Sequence, residues 1–383
     1  MPTLTAPQFR ERFPALATAT YLVSHSMGAA PLGAREALVD YWSAWSEAGP
    51  EAWEAWLPEV RAIANNLGSI FNAPAATVSL VPNVSLAQAA IASALDFPRD
   101  RNEVVIDELM FPTVTYVWKA WEKYGARIRE IASADGRTMS TDRLCSSISE
   151  RTAVVALSHA AYVSGALIDA AAVQARCRET GAIFVLDVYQ TTGVYPYDVR
   201  SLDLDIAVGG SHKWLCGGPG CGFMYVRPAL RDRLAPALTG WMAHAEPFAF
   251  EAAPVRLATD ATRWNTGTPT IPGYLAARAG HDAILEVGLE AVRAHNVRLT
   301  GALVEGALAR GFDIPTPLEP ERRSGWIGMN FAGAERAAAE LVARRVFVDH
   351  RPGCGLRVSP HFYTSDEEIA NFFSTLDDVR RAP

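Results

Sequence analysis

From residue 78 onward, short β-rich runs alternate with helical segments, and this alternation constrains the fold more than any other feature of the chain. The runs are TVSLV (77–81), EVVID (103–107), AVVAL (153–157), IFVLD (183–187), DIAVG (205–209) and GFMYV (222–226). Helical patterns lie between most of them, at 84–95, 113–124 and 169–180. Serial βα units of this kind predict a mainly parallel sheet covered on both faces, an α/β fold. Ligands of such sheets sit beyond the carboxyl ends of the strands, so chemistry is sought just after each run.

The flanks differ. Residues 35–71 are helical in pattern and carry Trp42, Trp45, Trp53 and Trp56; Gly49-Pro50 interrupts them, which predicts two helices joined by a turn. The tryptophans read as core and dimer packing rather than ligand contacts. Past residue 273 the pattern becomes a long helix (about 274–309), then β-rich pieces and a terminal helix (about 366–381). The proline-rich, charged stretch 311–325 reads as an exposed connection. These patterns divide the chain into N-terminal helices (1–60), a large domain (61–272) and a smaller α+β domain (273–383), against which the N-terminal helices pack.

Composition removes several function classes. Of 383 residues, 49% are hydrophobic and 20% charged, which is globular and excludes disorder and coiled coil. Lys plus Arg number 35 and Asp plus Glu 42, so 35 − 42 = −7, and no basic tract offsets this. Nucleic-acid and anionic-membrane binding are therefore not expected. No stretch of about 18 apolar residues predicts a membrane span. The start, MPTLTAPQFRERFPAL, lacks the apolar run of a signal peptide. Five scattered cysteines without a C-x-x-C pair fit reduced thiols in a cytoplasm. Cys216 and Cys221 lack a second pair at ligand spacing, so no metal site is expected.

Two residues at strand tips carry the chemical argument. Asp187 closes IFVLD, where an acid serves equally as a cap or as a ligand group. Lys213 follows DIAVG within GGSHKWLCGGPGCGFMYV, a loop too glycine-rich for a helix. A lysine there, away from any charged helix face, can form an imine once partial desolvation lowers its pKa. Pyridoxal phosphate needs both groups: a lysine for its aldehyde and a carboxylate that keeps its pyridine nitrogen protonated. It also needs a phosphate site, and Asn83-Val84-Ser85 lie where a strand gives way to a helix with free N–H groups. On that segment alone a plain N-cap is the competing reading; Asp187 and Lys213 tip the balance toward phosphate. The glycines of GGPGCG lead into a strand rather than a helix, so a dinucleotide loop is excluded.

In order, these motifs resemble the class V aminotransferase family of fold-type I pyridoxal-phosphate enzymes, from about Tyr21 to about Phe373. Within it the chain is most similar to kynureninases, with cysteine desulfurases and isopenicillin N epimerase-like proteins as relatives. The resemblance implies that Lys213 is the Schiff-base lysine, that Asp187 partners the ring nitrogen, and that Gln190 lies near the cofactor's phenolic oxygen. It implies that Phe111 of ELMFPTVTY stacks on the ring and that Thr113, Ser211 and His212 join Asn83, Val84 and Ser85 around the phosphate. It implies a homodimer with shared sites, into which Trp241 of TGWMAHAEPF and Asn265 or Thr268 of WNTGTPTIPG reach from the neighbouring subunit. Arg357 of GLRVSPHFYTSDEEI matches the arginine that holds a substrate carboxylate, for which a guanidinium fork is suited. Phe111, Tyr162 and Trp241 together suggest an aromatic or apolar substrate side chain, and His159 reads as a packing residue near the cofactor edge.

Three activities fit the resemblance. The first is kynureninase-like hydrolysis of a Cβ–Cγ bond in a small α-amino acid, with two departures: the family's catalytic tyrosine falls at Val163, beside Tyr162, and the loop bearing a substrate-binding histidine is shortened at GPEAWEAW. The second is transamination, which asks only for Lys213 as proton shuttle. The third is a desulfurase or C–S lyase reaction through a persulfide on Cys354. A non-catalytic binding protein on this fold is expected to have lost Lys213 or Asp187, and both are present.

Overall fold

The central sheet of the computed structural model, which describes residues 7–381, has seven strands. They are β1 (Val78–Val81), β2 (Glu103–Asp107), β3 (Arg127–Ile131), β4 (Thr152–Ser158), β5 (Ile183–Asp187), β6 (Ile206–Gly210) and β7 (Gly222–Val226). Their spatial order is β1-β7-β6-β5-β4-β2-β3. Every neighbouring pair is parallel except those of β7, which runs antiparallel to β1 and β6. Successive side chains point to opposite faces of each strand, so two hydrophobic layers form. Val105, Val155, Leu157, Phe184 and Leu186 join one core; Val104, Ile106, Val154, Ala156 and Val185 join the other.

All six predicted runs are strands. The seventh, β3, escaped the sequence reading because its residues, RIREI, are mostly charged and exposed. Such charge is usual on a strand at the sheet edge, where it discourages pairing with another chain. The predicted turn at Gly49-Pro50 is a short 3₁₀ segment (Gly49–Ala52) between the helices Leu32–Ala48 and Trp53–Ser69. Both pack on the helix Ile271–Val287, and Trp56 is buried beside Ile271.

A third core gathers Leu299, Leu303, Leu341, Leu356 and Phe372 from the helices Leu289–Leu308, Ala334–Ala343 and Asp366–Arg381 and from a small antiparallel sheet. That sheet has β8 (Ile327–Met329), β9 (Asp349–Arg351) and β10 (Gly355–Val358) in the order β9-β10-β8. Two expectations for this part are corrected. The long helix breaks in two at Gly288, whose φ of 82° is left-handed and favours glycine. The stretch 311–325 is not simply exposed: Thr316, Arg323 and Ser324 are buried. Arg323 donates to the carbonyls of Pro317 and Leu318, and the Ser324 hydroxyl donates to the carbonyl of Gln190. Internal acceptors thus allow polar residues to be buried at the seam with the large sheet. Among the described residues no helix is long and apolar enough to cross a membrane.

Trp118, fully buried on the helix Pro112–Ala120, donates its indole N–H to Gln88 of the helix Val84–Ser93 at 3.0 Å. It locks together two helices whose first turns reach the site described next. Trp118→Ala removes this bond and leaves a void, so a loss of about 3–5 kcal/mol is expected, read as a lower urea midpoint at unchanged slope.

Candidate active site

Asp187 ends β5, and Lys213 lies three residues beyond the neighbouring β6, so parallel pairing delivers both to the same edge of the sheet. They line one cavity of ≈ 290 Å³. Burial lowers the pKa of Lys213 to about 8; the carboxylate of Asp187 opposes that shift and Arg357 adds to it. Burial likewise raises Asp187 to about 6, against the backbone N–H of Tyr189, which donates to Oδ1 at 2.9 Å, and against the charge of Lys213. The ammonium of Lys213 lies 4.6 Å from the centre of the Tyr189 ring and 5.9 Å from that of Phe111. A Cβ at Gly210 would run into the Tyr189 ring, so glycine there lets the tyrosine close over the strand tip.

The first turn of the helix Val84–Ser93 also lines the cavity. Asn83 caps it, its side-chain oxygen accepting from Leu86 N–H at 3.0 Å. The N–H groups that open a helix have no partner inside it and carry the positive end of its dipole. Here that turn borders the cavity, with Asn83, Val84, Ser85, Thr113 and His212 all lining it. The ring of His212 is held by the Tyr189 hydroxyl at 2.6 Å, and burial keeps its pKa down at about 4. Gln190 also lines the cavity, anchored by a bond from its amide to the carbonyl of His25 (3.2 Å) and one from the Trp214 indole (3.3 Å). Phe111 and Tyr162 meet edge to face at the mouth, ring centres 5.5 Å apart.

Other sequence-predicted residues stand elsewhere. The hydroxyl of Ser211, expected at the phosphate, bonds His281 at 2.8 Å, and Ser211 does not line the cavity. Trp241 packs against Phe248 and Phe250, and Asn265 and Thr268 line a separate groove with Leu86 and Tyr274, so none of the three meets the cavity of its own chain. His159 does pack, edge-on to Tyr195 and Tyr197 and bonded to Thr191, but it borders a different cleft from the cavity of Lys213 and Asp187. Cys354 is buried with Val194, Trp214 and Trp326, burial pushes its thiol up to about 12, and it does not line the cavity. A protonated, enclosed thiol is a poor nucleophile. Val163 packs against the same apolar cluster.

The part of the cavity around Arg357 holds what the sequence reading missed. Arg357 is buried and lines the cavity, yet its Nε and Nη2 donate to the two oxygens of Asp349 at 2.8 and 2.6 Å, and Nη1 donates to the Tyr162 carbonyl at 2.9 Å. The fork expected to face substrate therefore already has a carboxylate on one edge. A guanidinium has five N–H donors, so one on each terminal nitrogen is left over. Asp349 also accepts from His25 Nε2 at 2.9 Å, which leaves Nδ1 of that ring to accept from the Ser359 hydroxyl at 2.8 Å. These three donors hold Asp349 far below the usual carboxylate range despite its burial. Arg351 completes the group, 3.3 Å from Asp349 and lining the cavity. Asp349 and Arg357 are direct cross-strand partners in the β9–β10 hairpin, so the symmetric placing of acid and base about the turn in DHRPGCGLR was a usable signal. No local pattern points to His25.

The Aminotransferase class-V family matches residues 57–372. The chain belongs to that family. It is 28% identical over 362 residues to an uncharacterized aminotransferase, YcbU, of Bacillus subtilis (strain 168), covering 94% of this chain and 95% of that one. To a kynureninase of Bacillus mycoides (strain KBAB4) it is 26% identical over 379 residues, with 94% and 88% covered. Among solved structures, C-DES with glycine covalently linked to its PLP cofactor superposes with a TM-score of 0.88 at 21% identity, over 96% and 99% of the chains. A cysteine desulfurase from Thermococcus onnurineus NA1 gives 0.85 at 19% identity, over 98% of each chain. The class V chain is thus a pyridoxal-phosphate-dependent enzyme of fold type I. Its own residues fit that cofactor: a desolvated lysine for the aldehyde, a buried carboxylate for the ring nitrogen and a capped helix N-terminus for the phosphate.

Only the neutral amine of Lys213 can attack an aldehyde, and its pKa is lowered to about 8. The rate at which cofactor-free protein takes up pyridoxal phosphate should therefore rise with pH and level off above about 8, followed by the growth of the bound cofactor's absorbance. A flat rate across this range would contradict the assignment.

Proposed function

We propose that this enzyme acts on a small α-amino acid and hydrolyses its Cβ–Cγ bond, as a kynureninase does. The carrying observation is that Lys213, Asp187 and Arg357 border one cavity whose mouth is walled by the rings of Phe111 and Tyr162. Kynureninases recur among its relatives over most of both chains, which supports the same reading. In this reading the bound cofactor supplies an electron sink for the substrate carbon. Asp187 would face the ring nitrogen and, as a carboxylate, keep it protonated. Lys213 would hold the cofactor's aldehyde, and its Nζ would move the proton at Cα, for which a pKa near neutrality is suited. The two uncommitted N–H groups of Arg357 hold the α-carboxylate. A water then adds to the γ-carbonyl, and the products are alanine and the acid derived from the side chain.

Transamination is the second reading, favoured by one specific observation: Val163, where the family's catalytic tyrosine falls, packs into an apolar cluster. Transamination needs no group at that position, and a relative named as an aminotransferase supports it. Persulfide chemistry on Cys354 is not proposed, given the enclosed thiol. We further propose a homodimer in which Trp241, Asn265 and Thr268 approach the partner's cavity. Trp241 is exposed beside Phe248 and Phe250, and the helix Leu32–Ala48 presents Trp42 and Trp45 with 63% and 59% of their surface uncovered. Light scattering should find two chains per particle.

The wild-type protein should show an absorbance band near the visible edge that borohydride removes, and Lys213→Ala should lack it; identical spectra would reject the cofactor's attachment. Incubating the holoenzyme with kynurenine and a panel of amino acids, with products identified by mass, separates the reactions. Alanine with the matching acid marks hydrolysis, and a 2-oxo acid marks transamination.

A further inference from the structure

We infer that Asp349 sets how many carboxylates the site accepts: by neutralising one of two arginines at the substrate end, it fits the site to an amino acid with one carboxylate and an uncharged side chain. This deepens the proposed function and rests on its assignment of the cavity to the cofactor and an α-amino acid.

The hairpin creates the arrangement. Asp349 pairs across the strands with Arg357, and Arg351 follows two residues later, on the same face of β9. Both arginines line the cavity, and Asp349 contacts both: bidentate to Arg357 and 3.3 Å from Arg351. Two cations and one anion leave this end with a single positive charge. His25 adds none, since its Nε2 hydrogen is spent on Asp349 and burial lowers its pKa to about 4. At the other end Lys213 and Asp187 are committed to the cofactor, and His212 is also lowered to about 4.

One α-carboxylate therefore brings the substrate end to neutrality. A second carboxylate, on the side chain, would leave an uncompensated negative charge in a cavity where charges are already partly stripped of water, close to the fixed charge of Asp349. The remaining walls toward the mouth, Phe111 and Tyr162, offer rings and no further cation. Asp349 has a second effect as a positioning residue: it fixes the plane of the Arg357 guanidinium, and with it the direction of the two remaining N–H groups.

The test uses pairs of ligands that differ only in side-chain charge: L-glutamine against L-glutamate, and L-asparagine against L-aspartate. Each is titrated into the holoenzyme and followed by the cofactor's absorbance and by calorimetry. Wild type should bind the amide of at least one pair about tenfold more tightly than the acid, the scale of one unfavourable charge contact. Asp349→Asn should shrink or invert that ratio, because the end then carries two positive charges; a merely structural role would weaken both members alike. Arg351→Gln, a half-exposed position that tolerates change, should weaken the amides about tenfold while leaving 4-aminobutanamide, glutamine without its α-carboxylate, unchanged. The inference is overturned if wild type shows no preference for the amide in either pair, if the ratio is unmoved in Asp349→Asn, or if Arg351→Gln weakens the amine as much as the amino acids. Failure of the underlying reading looks different: wild type would then show no cofactor absorbance at all.

Discussion

Stripping an amine and a carboxylate of water at adjacent strand tips is the constraint around which this molecule is arranged. Each group alone would resist burial in its charged form, and each is displaced toward neutrality, Lys213 to about 8 and Asp187 to about 6. The attraction between them, acting through a cavity rather than a packed core, opposes both shifts. Parallel pairing of β5 with β6 brings the tips side by side, and the antiparallel return of β7 lets the chain turn back in a glycine-rich loop instead of entering a helix. Lys213 is therefore presented on a tight backbone whose neighbours, Gly28 and Gly210, leave no space for a side chain.

How much of this could be read from residues alone follows from the range of each interaction. Strands buried on both faces announce themselves as apolar runs, and the residue that ends such a run is at the binding edge, which is why Asp187 and Lys213 were identifiable. The capped helix start at Asn83 is equally local, its bond spanning three residues. Strand β3 was not readable because edge position replaces apolar pattern with charge. His25 was out of reach for another reason: its partner Asp349 is 324 residues away, and nothing in SHSMG distinguishes a buried ring from an exposed one. Ser211 shows the reverse case, a residue in the right motif whose hydroxyl is claimed by His281 on a distant helix.

The substrate end depends on two cores meeting. Arg357 belongs to the small sheet but donates to the carbonyl of Tyr162, in the segment after β4, and Ser324 binds the carbonyl of Gln190, after β5. His25 comes from the N-terminal segment and bridges to Asp349 and Ser359. These bonds fix the distance between the cofactor half of the cavity and the arginines. All of them are polar, which suits a seam: directional bonds define a separation that packing alone would leave adjustable.

That division separates the large-sheet edge from the small hairpin. The two groups proposed to hold the cofactor ring, Asp187 and Lys213, sit at the edge of the large sheet, where the parallel pairing of β5 with β6 dictates their positions. The groups proposed to meet a substrate, Arg351 and Arg357 with Phe111 and Tyr162, sit on a short hairpin and in the segments after β2 and β4. Val163 and Cys354 illustrate this: both point into one apolar cluster with Trp214 and Trp326, so two positions that could have carried reactive groups instead contribute to packing behind the arginines. Beside Lys213 and Asp187, the cavity lining includes the rings of Phe111 and Tyr162, the buried guanidinium of Arg357 with its fixed counter-ion, and the half-exposed guanidinium of Arg351. In the proposed reading selectivity would come from charge count and from the shape between the rings, and the pairing of Asp349 with Arg357 is the part of it that the backbone register itself enforces.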